Sequence, residues 1–218
     1  MNWTEQFDAY CERTDLTYWS EPINAVTNAA FIIAALIMWR RTAGVPGARL
    51  LCIVLFLIGV GSYLFHTHAA GWAALADVAP IGAYILIYLF LTNRDIMGWP
   101  LWLAALGTVA FVPYAALLLP ILNAVPFVQI SNFYWTVPIL LMIYAVALRH
   151  KHPMTAKGFI IGAALLVLSI TTRSVDEIFC AAIPVGTHFL WHCLNGVMLG
   201  YMIHIYTSHV LAGRPAQR

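Results

Sequence analysis

This sequence predicts an all-α fold: a bundle of seven membrane-spanning helices with its N-terminus outside and its C-terminus in the cytoplasm. Three observations predict it. Of the 218 residues, 62% are hydrophobic and only 9% charged, whereas a soluble domain carries roughly a quarter charged residues. Seven stretches approach the ~20 apolar residues needed to cross a bilayer. The lysines and arginines fall almost entirely on one side of those stretches.

Taken in order, residues 1–21 form a polar, acidic segment with no basic-then-apolar signal pattern, so the first helix is expected to direct insertion itself. The predicted spans run near Ile23–Trp39, Arg49–His68, Ala74–Leu91, Pro100–Leu119, Val128–Leu148, Lys157–Ile178 and Thr187–His209. Their connections are short. The expectation is one integral membrane domain over residues 1–218: an extracytoplasmic arm (1–21), spanning helices (22–210) and a cytoplasmic tail (211–218).

The orientation follows from charge. Arg40, Arg41 and Arg49 lie between the first two spans, and Arg94 between the third and fourth. Arg149, Lys151 and Lys157 lie between the fifth and sixth, and Arg214 and Arg218 in the tail. Only Arg13 and Arg173 fall on the other side. Cytoplasmic loops are enriched in Lys and Arg, which puts the N-terminus outside and requires an odd number of spans. The implied location is multi-pass, in a bacterial inner membrane, with the outer helix ends toward the periplasm. The net charge of +2 hides this asymmetry and implies no nucleic-acid partner.

Titratable side chains inside spans are costly and become functional candidates. The second span ends in Gly61-Ser-Tyr-Leu-Phe-His66, which puts Ser62 one turn deeper than His66 on the same face. The third carries Asp77 in its first turns. The seventh opens with His188-Phe-Leu-Trp-His192, an i, i+4 pair able to chelate one ion. Each has an ordinary alternative: a satisfied polar contact or a haem ligand for the histidines, a helix-dipole carboxylate for Asp77, a backbone hydrogen bond for Ser62. Convergence at one depth favours the functional reading, because three imidazoles with a fourth open position make a catalytic zinc site. His150 and His152 join the cytoplasmic basic cluster, His204 and His209 lie toward the inner end of the last span, and His68 is expected in a loop.

Cys11 and Cys180 both face outside, and a disulfide between them is predicted. Cys52 and Cys193 read as packed thiols within helices. The outer arm carries Glu5, Asp8, Glu12, Asp15 and Glu21 against Arg13. It is either a solvated acidic arm or a calcium site built from carboxylate and carbonyl oxygens.

The strings Asp8-Ala-Tyr-Cys-Glu-Arg and Glu21-Pro-Ile-Asn-Ala-Val-Thr-Asn28 resemble the opening of alkaline ceramidases and their bacterial relatives. So do Ser62-x-x-x-His66 with Asp77, Asp176-Glu-Ile-Phe-Cys180 and His188-x-x-x-His192. Their order and spacing are specific jointly, and the wider group includes adiponectin- and progestin-receptor relatives. The resemblance implies zinc on His66, His188 and His192, chemistry served by Asp77 and Ser62, and a Cys11–Cys180 disulfide. It also implies calcium near the zinc, which places Asp8, Tyr10, Glu12, Asp15 and Glu21 as candidate ligands. The implied substrate is a lipid drawn from the bilayer, ceramide, cleaved to sphingoid base and fatty acid. The expected mechanism is attack by zinc-activated water, with Asp77 as general base and acid and Ser62 donating to the carbonyl oxygen. The residues alone imply only a lipidic carbonyl substrate. That leaves another ester or N-acyl lipid hydrolase, or a receptor-like protein with structural zinc, as alternatives.

Overall fold

Prolines start three of the long helices, because the first helical position needs no N–H and favours proline's fixed φ. In the computed structural model, which describes residues 3–213, α1 spans Pro22–Arg41, α2 Pro46–His68 and α6 Pro153–Ser174. Each therefore begins at or before the point that hydrophobicity alone indicates. The remaining long helices are α3, Gly71–Ile96, α4, Leu101–Asn123, α5, Asn132–Leu148, and α7, His188–Ala212. A short 3₁₀ turn, Val128–Ser131, leads into α5. The sixth span ends at Ser174 rather than Ile178, and Asp176–Phe179 form a separate turn. His68 is the last residue of α2, its helix closed by Ala69 in a left-handed conformation. Arg214 and Arg218 lie outside the described residues.

Among the described residues the protein is almost wholly helical, and its one isolated β-bridge joins Gln6 to Ala70. Pro80 and Pro138 sit inside α3 and α5, a position that spanning helices tolerate better than soluble ones. The helices α1 to α6, with the lead-in turn of α5, are long and apolar enough to cross a membrane. At 25 residues, α7 is about 37 Å long, beyond the ~30 Å hydrocarbon core. It is less apolar because it carries His188, His192, Asn195, His204 and His209.

The helices pack as a closed ring in chain order, α1 against α2 and so on to α7, which returns to pack against α1. α7 also touches α2. Phe31, Leu51, Leu55, Ile58, Phe159, Ile170 and Ile203 fill the interior. Across it, Tyr84 and Tyr88 of α3 donate to the carbonyls of Leu199 and Met202 on α7, at 2.9 and 3.2 Å. Outward faces stay apolar: Trp102, Leu106, Val112, Leu117 and Ile121 of α4 are all exposed. In water such a surface drives association; against lipid it is ordinary.

Residues 3–21 fold back over the end of the ring where α2 finishes and α3 starts. Phe7 N–H donates to Ala69 O and Trp72 N–H to Trp3 O. The Gln6 side chain donates to His68 O at 2.9 Å. Cys11 is disulfide-bonded to Cys180, as the placement of both cysteines predicts, and Cys52 and Cys193 are free thiols.

Candidate metal centre

Two helices supply the centre. His66 comes from the last turn of α2, and His188 and His192 from the first turns of α7, one helical turn apart. All three are buried, at 1%, 2% and 0% exposure. Their ligand atoms lie within 4.8 Å of one another, and no other such group of His, Cys, Asp and Glu forms among the described residues. The sequence places these histidines 122 to 126 positions apart, and the ring closure of α7 beside α2 brings them together.

The hydrogen bonds fix which nitrogens face inward. Thr27 Oγ1 already donates to the carbonyl of Ile23 at 2.7 Å, so toward His192 Nδ1, at 2.9 Å, it accepts. That puts the His192 proton on Nδ1 and leaves a lone pair on Nε2. Glu21 Oε2 lies 2.6 Å from His66 Nδ1, which protonates that nitrogen in the same way. His188 Nδ1 and His192 Nε2 are buried with no hydrogen-bond partner. Unpaired buried nitrogens are expensive, and a metal ion relieves the expense. Three imidazoles, two oriented through their far nitrogen by an oxygen acceptor, are the donor set that zinc takes. The donors fit.

Asp77 and Ser62 are also brought here. α2 and α3 approach closely at Gly61, where any β-carbon would overlap the backbone carbonyl of Ala76. This contact sets Asp77 near Ser62, with His66 and Arg173 within electrostatic reach of its carboxylate. Tyr10, from the arm, stacks on His188 with ring centroids 3.6 Å apart. Arg173 donates to the Tyr10 hydroxyl at 3.3 Å and to Ser131 Oγ at 2.7 Å, and lies over the faces of Tyr134 and Trp191. Burial pushes the Tyr10 phenol above its ordinary value.

Asp176 anchors the start of α7. Its carboxylate accepts from the backbone N–H groups of Cys11 (2.9 Å), Thr187 (2.6 Å) and His188 (2.8 Å). Gly186 precedes this turn at φ 70°, and a β-carbon there would overlap Asp176 Oδ1. Glycine is required on both counts.

The five candidate calcium ligands are dispersed among other partners. Glu12 caps α1 from a distance, accepting from Ile23 N–H and Asn24 N–H, both at 2.7 Å. Asp8 accepts from Tyr10 N–H. Asp15 accepts from the backbone and hydroxyl of Thr17 at 2.8 and 2.6 Å. Glu21 faces His66 and Arg13. Burial alone would raise the Glu21 carboxyl, but the His66 hydrogen bond and the Arg13 ion pair hold it below the ordinary range.

Thr27 carries no signal of its role in the sequence, and Asp176 is marked only by its place in the Asp176-Glu-Ile-Phe-Cys180 string. For Arg13 and Arg173 the clue is indirect: they are the two basic residues that fall on the other side of the predicted spans from the rest, and a guanidinium set against the charge rule needs a local reason.

The ceramidase family model matches residues 6–217, essentially the whole chain. The chain belongs to the ceramidase family. Among curated proteins, none matches this family member. The matched region takes in every residue of the centre, from Tyr10 in the arm to His192 in α7.

Proposed function

We propose that this ceramidase-family chain is a zinc-dependent intramembrane lipid amide hydrolase, with ceramide, the substrate in the family's name, as its substrate. The observation that carries the reading is the buried meeting of His66, His188 and His192 with Asp77 and Ser62 against it. When bound there, zinc would supply a Lewis acid that lowers the pKa of water toward ~7 and polarises a carbonyl. The protein's own groups do the rest. Asp77 takes the proton of the attacking water on its carboxylate and passes it to the nitrogen of the leaving amine. Ser62 is placed to donate to the carbonyl oxygen on substrate binding. Thr27 and Glu21 keep two imidazoles in the tautomer that presents a lone pair. Tyr10 and Arg173 close the outer side against water. An apolar cavity further along α7, lined by Tyr84, Tyr88, Phe159, Met198 and Met202, suits an acyl chain.

The topology belongs to the same proposal: α7 crosses as a seventh span, and the charge asymmetry puts the arm and the centre on the outer side. The test measures zinc content and hydrolysis of matched amide and ester lipids for wild type, His192→Ala and Asp77→Asn. The expected result is one zinc per chain and amide hydrolysis in wild type, zinc loss in His192→Ala, and zinc without turnover in Asp77→Asn. A receptor-like structural site would tolerate Asp77→Asn; preference for the ester would name a different hydrolase.

A further inference from the structure

Arg13 is 3% exposed, an unusual state for a guanidinium in an arm that otherwise faces solvent. Its donors reach three oxygens. Nε pairs with Glu21 Oε1 at 2.5 Å, Nη1 donates to the Asp15 carbonyl at 3.1 Å, and Nη2 donates to the His66 carbonyl at 2.9 Å. One carboxylate and two carbonyls are the oxygen types that a hard divalent cation collects. Here a guanidinium collects them. The His66 carbonyl belongs to the last turn of α2, where a cation also answers the helix dipole. The same Glu21 carboxylate turns its other oxygen to His66 Nδ1 at 2.6 Å and accepts from Asn24 Nδ2 at 3.1 Å. Arg13, Glu21 and His66 thus form a buried relay of charge-assisted hydrogen bonds ending on a metal ligand.

We infer that Arg13 is the built-in cation of the outer arm: it stands where a calcium ion would, makes the chain independent of calcium, and acts through Glu21 as a positioning residue for His66. The physical ground is exclusion. Calcium taking Glu21 as ligand would stand against a guanidinium already paired with that carboxylate, while Glu12 caps α1, Asp15 is tied to Thr17 and Asp8 accepts from Tyr10 N–H. Glu21, accepting at His66 Nδ1 at 2.6 Å, holds that ring in the orientation that leaves Nε2 for a metal, as carboxylate partners of zinc-bound imidazoles do. The inference rests on the zinc reading above.

The test has two arms. In the first, calcium is titrated into the zinc-loaded wild type in calcium-free buffer, up to about 10 mM, above the weakest calcium modules' Kd of ~10⁻⁴–10⁻³ M. Thermal stability and lipid hydrolysis are expected to stay flat, and a calcium-dependent rise in either overturns the inference. In the second, zinc retention against a chelator is measured without substrate for Arg13→Met, Arg13→Lys, Glu21→Gln and the Arg13→Met/Glu21→Gln double variant. Arg13→Met and Glu21→Gln are each expected to lose zinc ~10–100-fold more readily, Arg13→Lys to fall between them and wild type, and the double variant to match Glu21→Gln. Additive losses would show that Arg13 acts independently of Glu21 and overturn the positioning role. If Arg13→Met does not fold, Arg13→Lys in the Glu21→Gln background gives the same comparison. A chain that holds zinc in this pattern yet hydrolyses no lipid sinks the hydrolase reading and leaves this one standing.

Discussion

Replacing Gly61 by alanine separates the placement of Asp77 from the holding of zinc. A β-carbon at Gly61 meets the carbonyl oxygen and carbon of Ala76 well inside ordinary contact of 3.4–4 Å. Both obstructing atoms are backbone, so no rotamer change relieves them. α3 must withdraw from α2, carrying Asp77 away from Ser62 and His66. A misplacement of about 1 Å at a catalytic group costs ~100-fold in rate, or ~2.7 kcal/mol of barrier. Alanine in a helix interior is otherwise favoured over glycine by ~0.5–1 kcal/mol, so intrinsic propensity argues for improvement and packing argues against it. His66, His188 and His192 sit on α2 and α7, away from the displaced helix. Gly61→Ala should therefore keep one zinc per chain by elemental analysis while kcat falls about 100-fold. Wild-type kcat in a zinc-loaded Gly61→Ala protein would refute the reasoning, as would equal loss of zinc and rate.

Thr27→Val removes the acceptor of His192 Nδ1–H and should loosen zinc ~10–100-fold in chelator competition, with Thr27→Ser restoring it. Reducing the Cys11–Cys180 bond, whose partners are 169 residues apart, should lower stability by about 2–4 kcal/mol in denaturant titration and open the arm to protease. The Thr17 hydrogen bonds hold the exposed Asp15 carboxyl below its ordinary value. With the folded value depressed, the stabilisation is present above the unfolded value, ~3.9, and fades as pH falls through the folded one. Carboxyl NMR should find Asp15 titrating lower in wild type than in Thr17→Val, and equal values would refute the assignment.

Much of this architecture was legible because lipid makes strong demands on sequence. A helix in hydrocarbon must satisfy its backbone internally and stay apolar, so the spans announce themselves. The histidines were equally visible: His188 and His192 at helical spacing, and His66 one turn above Ser62, are expensive unless they meet. Less visible were the oxygens behind them. Thr27 looks like any helix hydroxyl, and Glu21 in an acidic string reads as a solvated or calcium-binding carboxylate. Their roles depend on where the chain returns, and α1 passes between α2 and α7 only because the ring closes. Helix starts were misjudged wherever proline led, because hydropathy counts Pro22, Pro46 and Pro153 as interruptions whereas each opens a helix.

The anchoring of α7 to the N-terminal arm bears on how the molecule is made. His66 is synthesised in the first third of the chain and His188 and His192 near its end, while Tyr10, Glu21 and Cys11 emerge before any of them. A growing polypeptide thus carries one of the three histidines and an unmatched thiol through most of its insertion, and the three-histidine group assembles only when the final helix threads between its neighbours. Truncated products lack the three-histidine group. Under the proposed function, the bilayer is spared a stray amide hydrolase until the whole protein is in place.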